Sequence, residues 1–199
     1  TYTKLISNRL KIKFFYRSKI SREFLLSSNK KPSHVWEPQT TKLLVYLSKN
    51  LNNDVLIGGA YFGDQAILIS KNLYLRNATI HCFEPNLEQN KMLRNNIKIN
   101  RIKNIKVNKY GLWSHSKKKL KLIGYDSFAS SILAPYSSDG FKTITIDEYC
   151  FSKKINLGLI HLDIEGSEVK ALEGAKKTIT RDKPVIIFEI HSKYVDWSQ

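Results

Sequence analysis

A chain of 199 residues with 42% hydrophobic and 25% charged residues has the composition of a globular domain with a full core, and no apolar run is long enough to cross a bilayer. Two cysteines, Cys82 and Cys150, are too few for a disulfide framework and lack zinc spacing, so a reducing, cytoplasmic setting is expected. The net charge of +16 indicates either attraction to an anionic partner, such as RNA or a membrane surface, or simply a solvated surface.

The basic N-terminal segment, residues 1–33, is predicted to be an extension of a domain that spans residues 34–199. Between Thr1 and Lys31 it holds nine lysines or arginines and one acid, Glu23. The basic residues interrupt any signal-peptide core. Apolar residues lie among the charges, so we expect part of the extension to dock on the domain as a helix, with its charges facing outward.

Downstream of this segment, predicted strands and helices alternate. Strands are expected at 54–57, 79–83, 105–107, 159–164 and 185–190, helices at 39–49, 65–75, 87–99 and 168–179, and further extended segments at 120–123 and 142–146. Asn86 followed by Gln89 is typical of a helix start. This alternation predicts an α/β fold with a mostly parallel central sheet flanked by helices.

A glycine-rich turn follows the first of these strands. Gly59 and Gly63 let the backbone turn sharply and approach a ligand. Glu84, at the end of the next strand, lies 25 residues after Gly59, close to the spacing of about 20 residues expected of an acid that binds a ribose. The pattern G-G-x-x-x-G differs from the dinucleotide fingerprint. Turn and acid together predict a nucleoside ligand.

Three carboxylates crowd the end of a later strand: Asp163, Glu165 and Glu168. Open α/β sheets place their ligands at the carboxyl ends of their strands, and carboxylates there cost folding energy unless they are paired. Asp163 is the leading catalytic candidate and Glu165 the second. Glu168 begins a helix, where its charge also favours the dipole. Glu189 and His191 end the next strand and could face the same crevice.

Six segments, in order, resemble the FkbM-type family of S-adenosylmethionine-dependent methyltransferases: residues 55–64, 83–86, 130–132, 145–149, 160–168 and 183–190. The resemblance covers roughly residues 36–191. It implies a Rossmann-like class I methyltransferase fold and methyl transfer from S-adenosylmethionine, usually to a hydroxyl oxygen. Typical acceptors in the family are sugars and other small molecules.

The resemblance also implies roles for particular residues. The glycine turn would face the methionine part of the cofactor, Glu84 the ribose, and the backbone around Leu112 the adenine. The predicted cofactor-binding residues are Gly59, Ala60, Tyr61, Gly63, Asp64, Glu84, Pro85, Asn86 and Leu112. Asp163 or Glu165 would take the proton of the acceptor, or a divalent metal at the site would lower the pKa of the acceptor instead. The N-terminal extension is expected to act on the acceptor or on location and not on the cofactor.

The chain departs from the family pattern at three points. Ile57 stands where the family usually has an acid, and His161 stands in place of the signature lysine. His161, like His81, lies in an apolar strand and is expected to be a packed residue. The sequence stops at Gln199, where class I methyltransferases continue, so either the chain is truncated or its sheet is reduced. Two alternatives remain: a methyltransferase for nucleic acid or glycolipid, or a non-catalytic protein that kept the fold.

Overall fold

The computed structural model describes residues 2–7, 10–15, 36–124, 130–134 and 139–190. The elements, in chain order, are β1 (Tyr2–Ser7), β2 (Leu10–Phe14), α1 (Pro38–Ser48), β3 (Asp54–Gly58), α2 (Asp64–Tyr74), β4 (Ile80–Phe83), α3 (Leu87–Ile99), β5 (Ile105–Asn108), β6 (Gly111–Leu112), β7 (Lys119–Ile123), β8 (Ser130–Leu133), β9 (Phe141–Ile144), α4 (Ile146–Lys153), β10 (Leu157–Leu162), α5 (Glu168–Glu173), α6 (Lys176–Asp182) and β11 (Val185–Phe188). None of the helices in these ranges is both long and apolar enough to cross a bilayer.

The central sheet has five strands in the order β11-β10-β3-β4-β5, and every neighbouring pair is parallel. The chain builds the sheet outward from β3 to β5 and then returns to the other side of β3 with β10. The order therefore reverses between β3 and β10, which is where open α/β sheets bind their ligands. The predicted Rossmann-like α/β fold is confirmed.

Helices cover both faces of this sheet, because successive strand residues point to opposite faces. Ile57 packs with Leu44 of α1 and Ile67 of α2 in one buried cluster. Leu56 and Ile160 pack in a second cluster with residues of α4 and α5. The strands are thus apolar on both faces, as expected of a buried parallel sheet.

The part of the extension that the structure describes is not helical, and the expected helix is not among its residues. β1 and β2 form an antiparallel hairpin. Residues 10–14 alternate between apolar and basic side chains, which is the two-residue period of a half-buried strand. Ile12 and Phe14 are completely buried in the cluster shared with α1 and α2, while Lys11 is exposed. Residues 16–35 lie outside the described residues.

The hairpin also contacts the glycine-rich turn. Asn96 of α3 accepts a hydrogen bond from the Lys13 amide at 2.7 Å, and its Nδ2 donates to the carbonyl oxygens of Lys13 and Phe62, each at 2.8 Å. The rings of Phe14 and Phe62 lie 6.2 Å apart between centroids. Phe62 belongs to the turn, so the extension supports the region where the cofactor is expected. The expectation that the extension acts on the acceptor or on location, and not on the cofactor, stays a prediction.

A second, four-stranded sheet with the order β6-β9-β7-β8 lies after β5. The segment predicted to be extended through Ile146 changes into α4, whose N-cap Thr145 accepts a hydrogen bond from the Glu148 amide at 3.0 Å. The helix predicted at 168–179 is two helices, α5 and α6. They meet at Gly174, where a Cβ atom would lie 2.3 Å from the carbonyl oxygen of Trp113.

Candidate functional site

The glycine-rich turn packs against the ends of β4 and β10. The amides of Gly59 and Ala60 both donate to the carbonyl oxygen of Phe83, at 3.0 and 3.1 Å. Gly59 has a φ of 74°, and a Cβ atom there would lie 1.7 Å from the carbonyl oxygen of Asp163. Only glycine fits this left-handed position at such a close approach. The turn therefore brings the ends of three strands together at the place where the strand order reverses.

Glu84 follows β4, and the turn fixes its carboxylate. Oε2 accepts a hydrogen bond from the Tyr61 amide and Oε1 from the Asn86 amide, each at 2.9 Å. The side chain is buried, and burial raises the pKa of Glu84 to about 7. Each carboxylate oxygen has two lone pairs, so both can accept a further hydrogen bond from a ligand.

A narrow crevice opens beside Glu84. The predicted residues Gly59, Pro85 and Leu112 line it, together with Tyr110, Ser131 and Ser167, which were not predicted to bind the cofactor. Tyr110 follows the end of β5. Tyr110 could have been predicted to line the crevice, because it follows a strand and the carboxyl ends of parallel strands meet at one edge of the sheet.

Other predicted cofactor residues have structural contacts of their own. Asn86 is the N-cap of α3 and accepts hydrogen bonds from the amides of Glu88 and Gln89, as its sequence pattern predicts. Asp64 is buried at the start of α2, and burial raises its pKa to about 7. Neither side chain lines the crevice beside Glu84.

Asp163 and Glu165 come together at the end of β10, and Glu189, which follows β11, joins them. One carboxylate oxygen from each of the three lies within 4.8 Å of the others. Burial and, after it, the hydrogen bond to the Glu189 carboxylate raise the pKa of Asp163 well above its usual range. Glu37, at the start of α1, also has a raised pKa, because of burial and then the charge of Glu189. Asp163, Glu165 and Glu189, called the acidic corner below, therefore form a cluster of acidic groups in a protein with a net positive charge.

Glu168, the third carboxylate of the motif, has a structural role. Its Oε1 accepts a hydrogen bond from the Ile164 amide at 2.8 Å, and its side chain is buried. This bond closes the loop between β10 and α5 behind Asp163 and Glu165.

The two strand histidines differ in their contacts. His81 lies 2.9 Å from the Tyr149 hydroxyl through Nδ1 and 2.9 Å from Asp54 through Nε2, so it is the packed residue that was expected. His161 is also buried, but its Nδ1 has no hydrogen-bond partner within the described residues. Burial lowers the pKa of His161 to about 4, which leaves the ring neutral at pH 7.

Solved structures with a similar fold include methyltransferases from three organisms. The methyltransferase FkbM from Methylobacillus flagellatus KT is 23% identical over 68% of this chain and 32% of its own, with a TM-score of 0.49. The SAH-bound methyltransferase PaMTH1 from Podospora anserina is 13% identical over 85% of this chain and 61% of its own, with a TM-score of 0.46. A SAM dependent methyltransferase from Aquifex aeolicus is 12% identical over 90% and 82%, with a TM-score of 0.44.

The chain spans about a third of the length of the Methylobacillus protein (32%). No curated protein matches its sequence. The family model of the methyltransferase FkbM domain matches residues 58–198, which contain the glycine turn, Glu84, Asp163, Glu165 and Glu189. That match covers well over half of the chain, and the protein belongs to the FkbM methyltransferase family.

Proposed function

We propose that the protein is an S-adenosylmethionine-dependent methyltransferase that methylates a hydroxyl oxygen of a sugar or another small molecule. Family membership supports methyl transfer. The observation that carries the proposal is the position of the Glu84 carboxylate. It stands at the end of β4 beside the glycine turn, held on both oxygens by backbone amides.

We expect the residues around Glu84 to hold the adenosine part of the cofactor. A carboxylate with lone pairs to spare suits the two hydroxyls of a ribose. The adjacent crevice is lined by Phe83, Pro85, Tyr110 and Leu112, which offer apolar and aromatic surface to a flat base. When bound, S-adenosylmethionine supplies an electrophilic methyl group on a sulfonium.

The remaining task of the chain is to align the acceptor and remove its proton. Methyl transfer is an in-line displacement, so the acceptor oxygen must face the methyl group opposite the sulfur. Asp163 and Glu165 lie at the end of β10, next to the glycine turn through the contact between Asp163 and Gly59. We expect one of these carboxylates to take the proton of the acceptor hydroxyl as the oxygen attacks.

Two departures from the family pattern lie side by side. Ile57 of β3 and His161 of β10 are partners in the register of the two strands. An acid and a lysine at these positions would be neighbouring charges in the buried sheet, whereas isoleucine and a neutral histidine leave no charge there. The two replacements together leave no unpaired charge in the centre of the sheet. This favours a functional protein over a non-catalytic remnant. The acid expected to bind the ribose, Glu84, is also present.

Replacement of Glu84 tests the proposal. Hydrogen bonds to a charged group contribute about 1.5–3 kcal/mol each, so Glu84→Ala should weaken S-adenosylmethionine binding by at least about tenfold. The matched control is Glu173→Ala, because Glu173 makes an exposed ion pair with Lys170 far along the chain from the turn. Isothermal titration calorimetry on the folded proteins measures both. Equal affinities in Glu84→Ala and the parent would contradict the assignment.

A further inference from the structure

Asp163, Glu165 and Glu189 have the geometry of a cation site. One oxygen from each carboxylate lies within 4.8 Å of the other two. Oxygen ligands stand about 2.0–2.6 Å from Mg²⁺ or Ca²⁺, so two ligands of one ion are at most about 5 Å apart. We propose that these three carboxylates bind one divalent cation at the carboxyl end of the sheet.

A second observation points to the same place. His161 and Asp163 are two residues apart at the end of β10, so their side chains leave the same face of the sheet. The register pairs His161 with Ile187, which places Glu189 on that face too. The imidazole is 97% buried (3% exposed), its Nδ1 has no hydrogen-bond partner within the described residues, and the charge of Glu189 acts on it.

A hydrated ion would give the unpartnered nitrogen of His161 a partner on the face of the sheet that also carries Asp163 and Glu189. His161 is not one of the three groups close enough to share a direct ligand position. Its Nδ1 would accept a hydrogen bond from a water molecule that the cation holds. Mg²⁺ keeps several of its waters and binds proteins through a few carboxylates, which matches this arrangement. Hard oxygen ligands favour Mg²⁺ or Mn²⁺ over the softer metals.

A cation bound at the acidic corner would take part in catalysis. An acceptor hydroxyl that replaces one of the waters on the ion would lose its proton more readily, because the ion stabilises the alkoxide. This catalytic role rests on the proposed methyl transfer, whereas cation binding does not. Binding is therefore measured without cofactor and without acceptor, so that the two proposals fail separately.

The experiment titrates Mn²⁺ into the full chain and follows free Mn²⁺ by its electron paramagnetic resonance signal. The parent should bind one Mn²⁺ per chain, and Mg²⁺ should displace it. Asp163→Asn and Glu189→Gln should each weaken Mn²⁺ binding by at least tenfold. Glu148→Gln is the matched control, because it removes the same charge from an exposed position in the first turn of α4.

Circular dichroism establishes which variants fold, and either of the two site variants is sufficient for the comparison. Unchanged Mn²⁺ affinity in Asp163→Asn and Glu189→Gln would overturn the site. Absence of saturable binding in the parent would overturn it as well, as would an equal loss of affinity in Glu148→Gln.

Discussion

Asn96 joins the N-terminal hairpin to the glycine turn, and its replacement should destabilise the fold markedly. The side chain is completely buried and makes three hydrogen bonds to backbone groups of Lys13 and Phe62. At about 1 kcal/mol of net stabilisation for each bond, Asn96→Ala should lower the free energy of unfolding by roughly 3 kcal/mol. For a chain of this size, that corresponds to a fall of about 6–12 °C in the melting temperature.

Asn100 provides a matched control one helical turn away. It makes the same pair of bonds to the hairpin, from the Lys11 amide at 2.8 Å and to the Lys11 carbonyl at 2.6 Å, but these bonds are exposed to solvent. Water can replace them, so Asn100→Ala should cost less than about 1 kcal/mol. Thermal unfolding followed by circular dichroism compares the two variants.

The reasoning would be refuted if Asn96→Ala melted within two or three degrees of the parent (less than about 1 kcal/mol) or no lower than Asn100→Ala. A functional readout accompanies the thermal one. Because Phe62 lies in the turn, loosening its carbonyl should also weaken S-adenosylmethionine binding in Asn96→Ala and leave it unchanged in Asn100→Ala.

Two further predictions concern the turn and Glu84. Gly59→Ala should abolish folding or destabilise the protein severely, because the new Cβ would overlap the Asp163 carbonyl oxygen. In the control Gly158→Ala, the new Cβ would lie 3.0 Å from the side chain of Leu51 and 3.2 Å from the Cβ of Asn53, so this variant should melt much closer to the parent. Burial raises the pKa of Glu84 from 4.5 to about 7, so its carboxyl binds more protons in the folded state and stability should fall as the pH rises between these values. Urea unfolding at pH 5 and pH 8 should show a smaller difference for Glu84→Gln than for the parent, and an unchanged difference would refute the pKa argument.

The core of the candidate site could be predicted from sequence because its geometry is local. A glycine turn after a buried strand, followed by an acid at the end of the next strand, leaves few arrangements open in a parallel sheet. The structure accordingly places the Tyr61 amide on Glu84. The assignment of these residues to a cofactor stays a prediction until a ligand is bound.

The N-terminal hairpin was missed because two periods compete in the same segment. Leu10, Ile12 and Phe14 alternate with lysines, which is a strand pattern, but the numerous scattered apolar and basic residues up to Lys31 also suit an amphipathic helix. Tertiary packing decides between the two, because Ile12 and Phe14 are buried in the cluster beside α1 and α2 only when the segment is a strand. For α4, a signal was present: Thr145 and Glu148 have the spacing of a capping box.

The acidic corner shows what a single sequence leaves open. Asp163 and Glu165 are near each other along the chain, and their proximity was foreseeable. Glu189 was noted as a residue of the same crevice, but its approach to Asp163 depends on the pairing of β10 with β11, where Leu162 is opposite Phe188. A shift of one residue in this register would turn Glu189 to the other face.

The most direct test of the account is a crystal structure of the protein with S-adenosylhomocysteine. Both ribose hydroxyls should donate hydrogen bonds to the Glu84 carboxylate, and the adenine should lie in the crevice between Pro85 and Leu112. A ligand bound elsewhere, or a ribose held by other groups while Glu84 contacts only the amides of Tyr61 and Asn86, would contradict it.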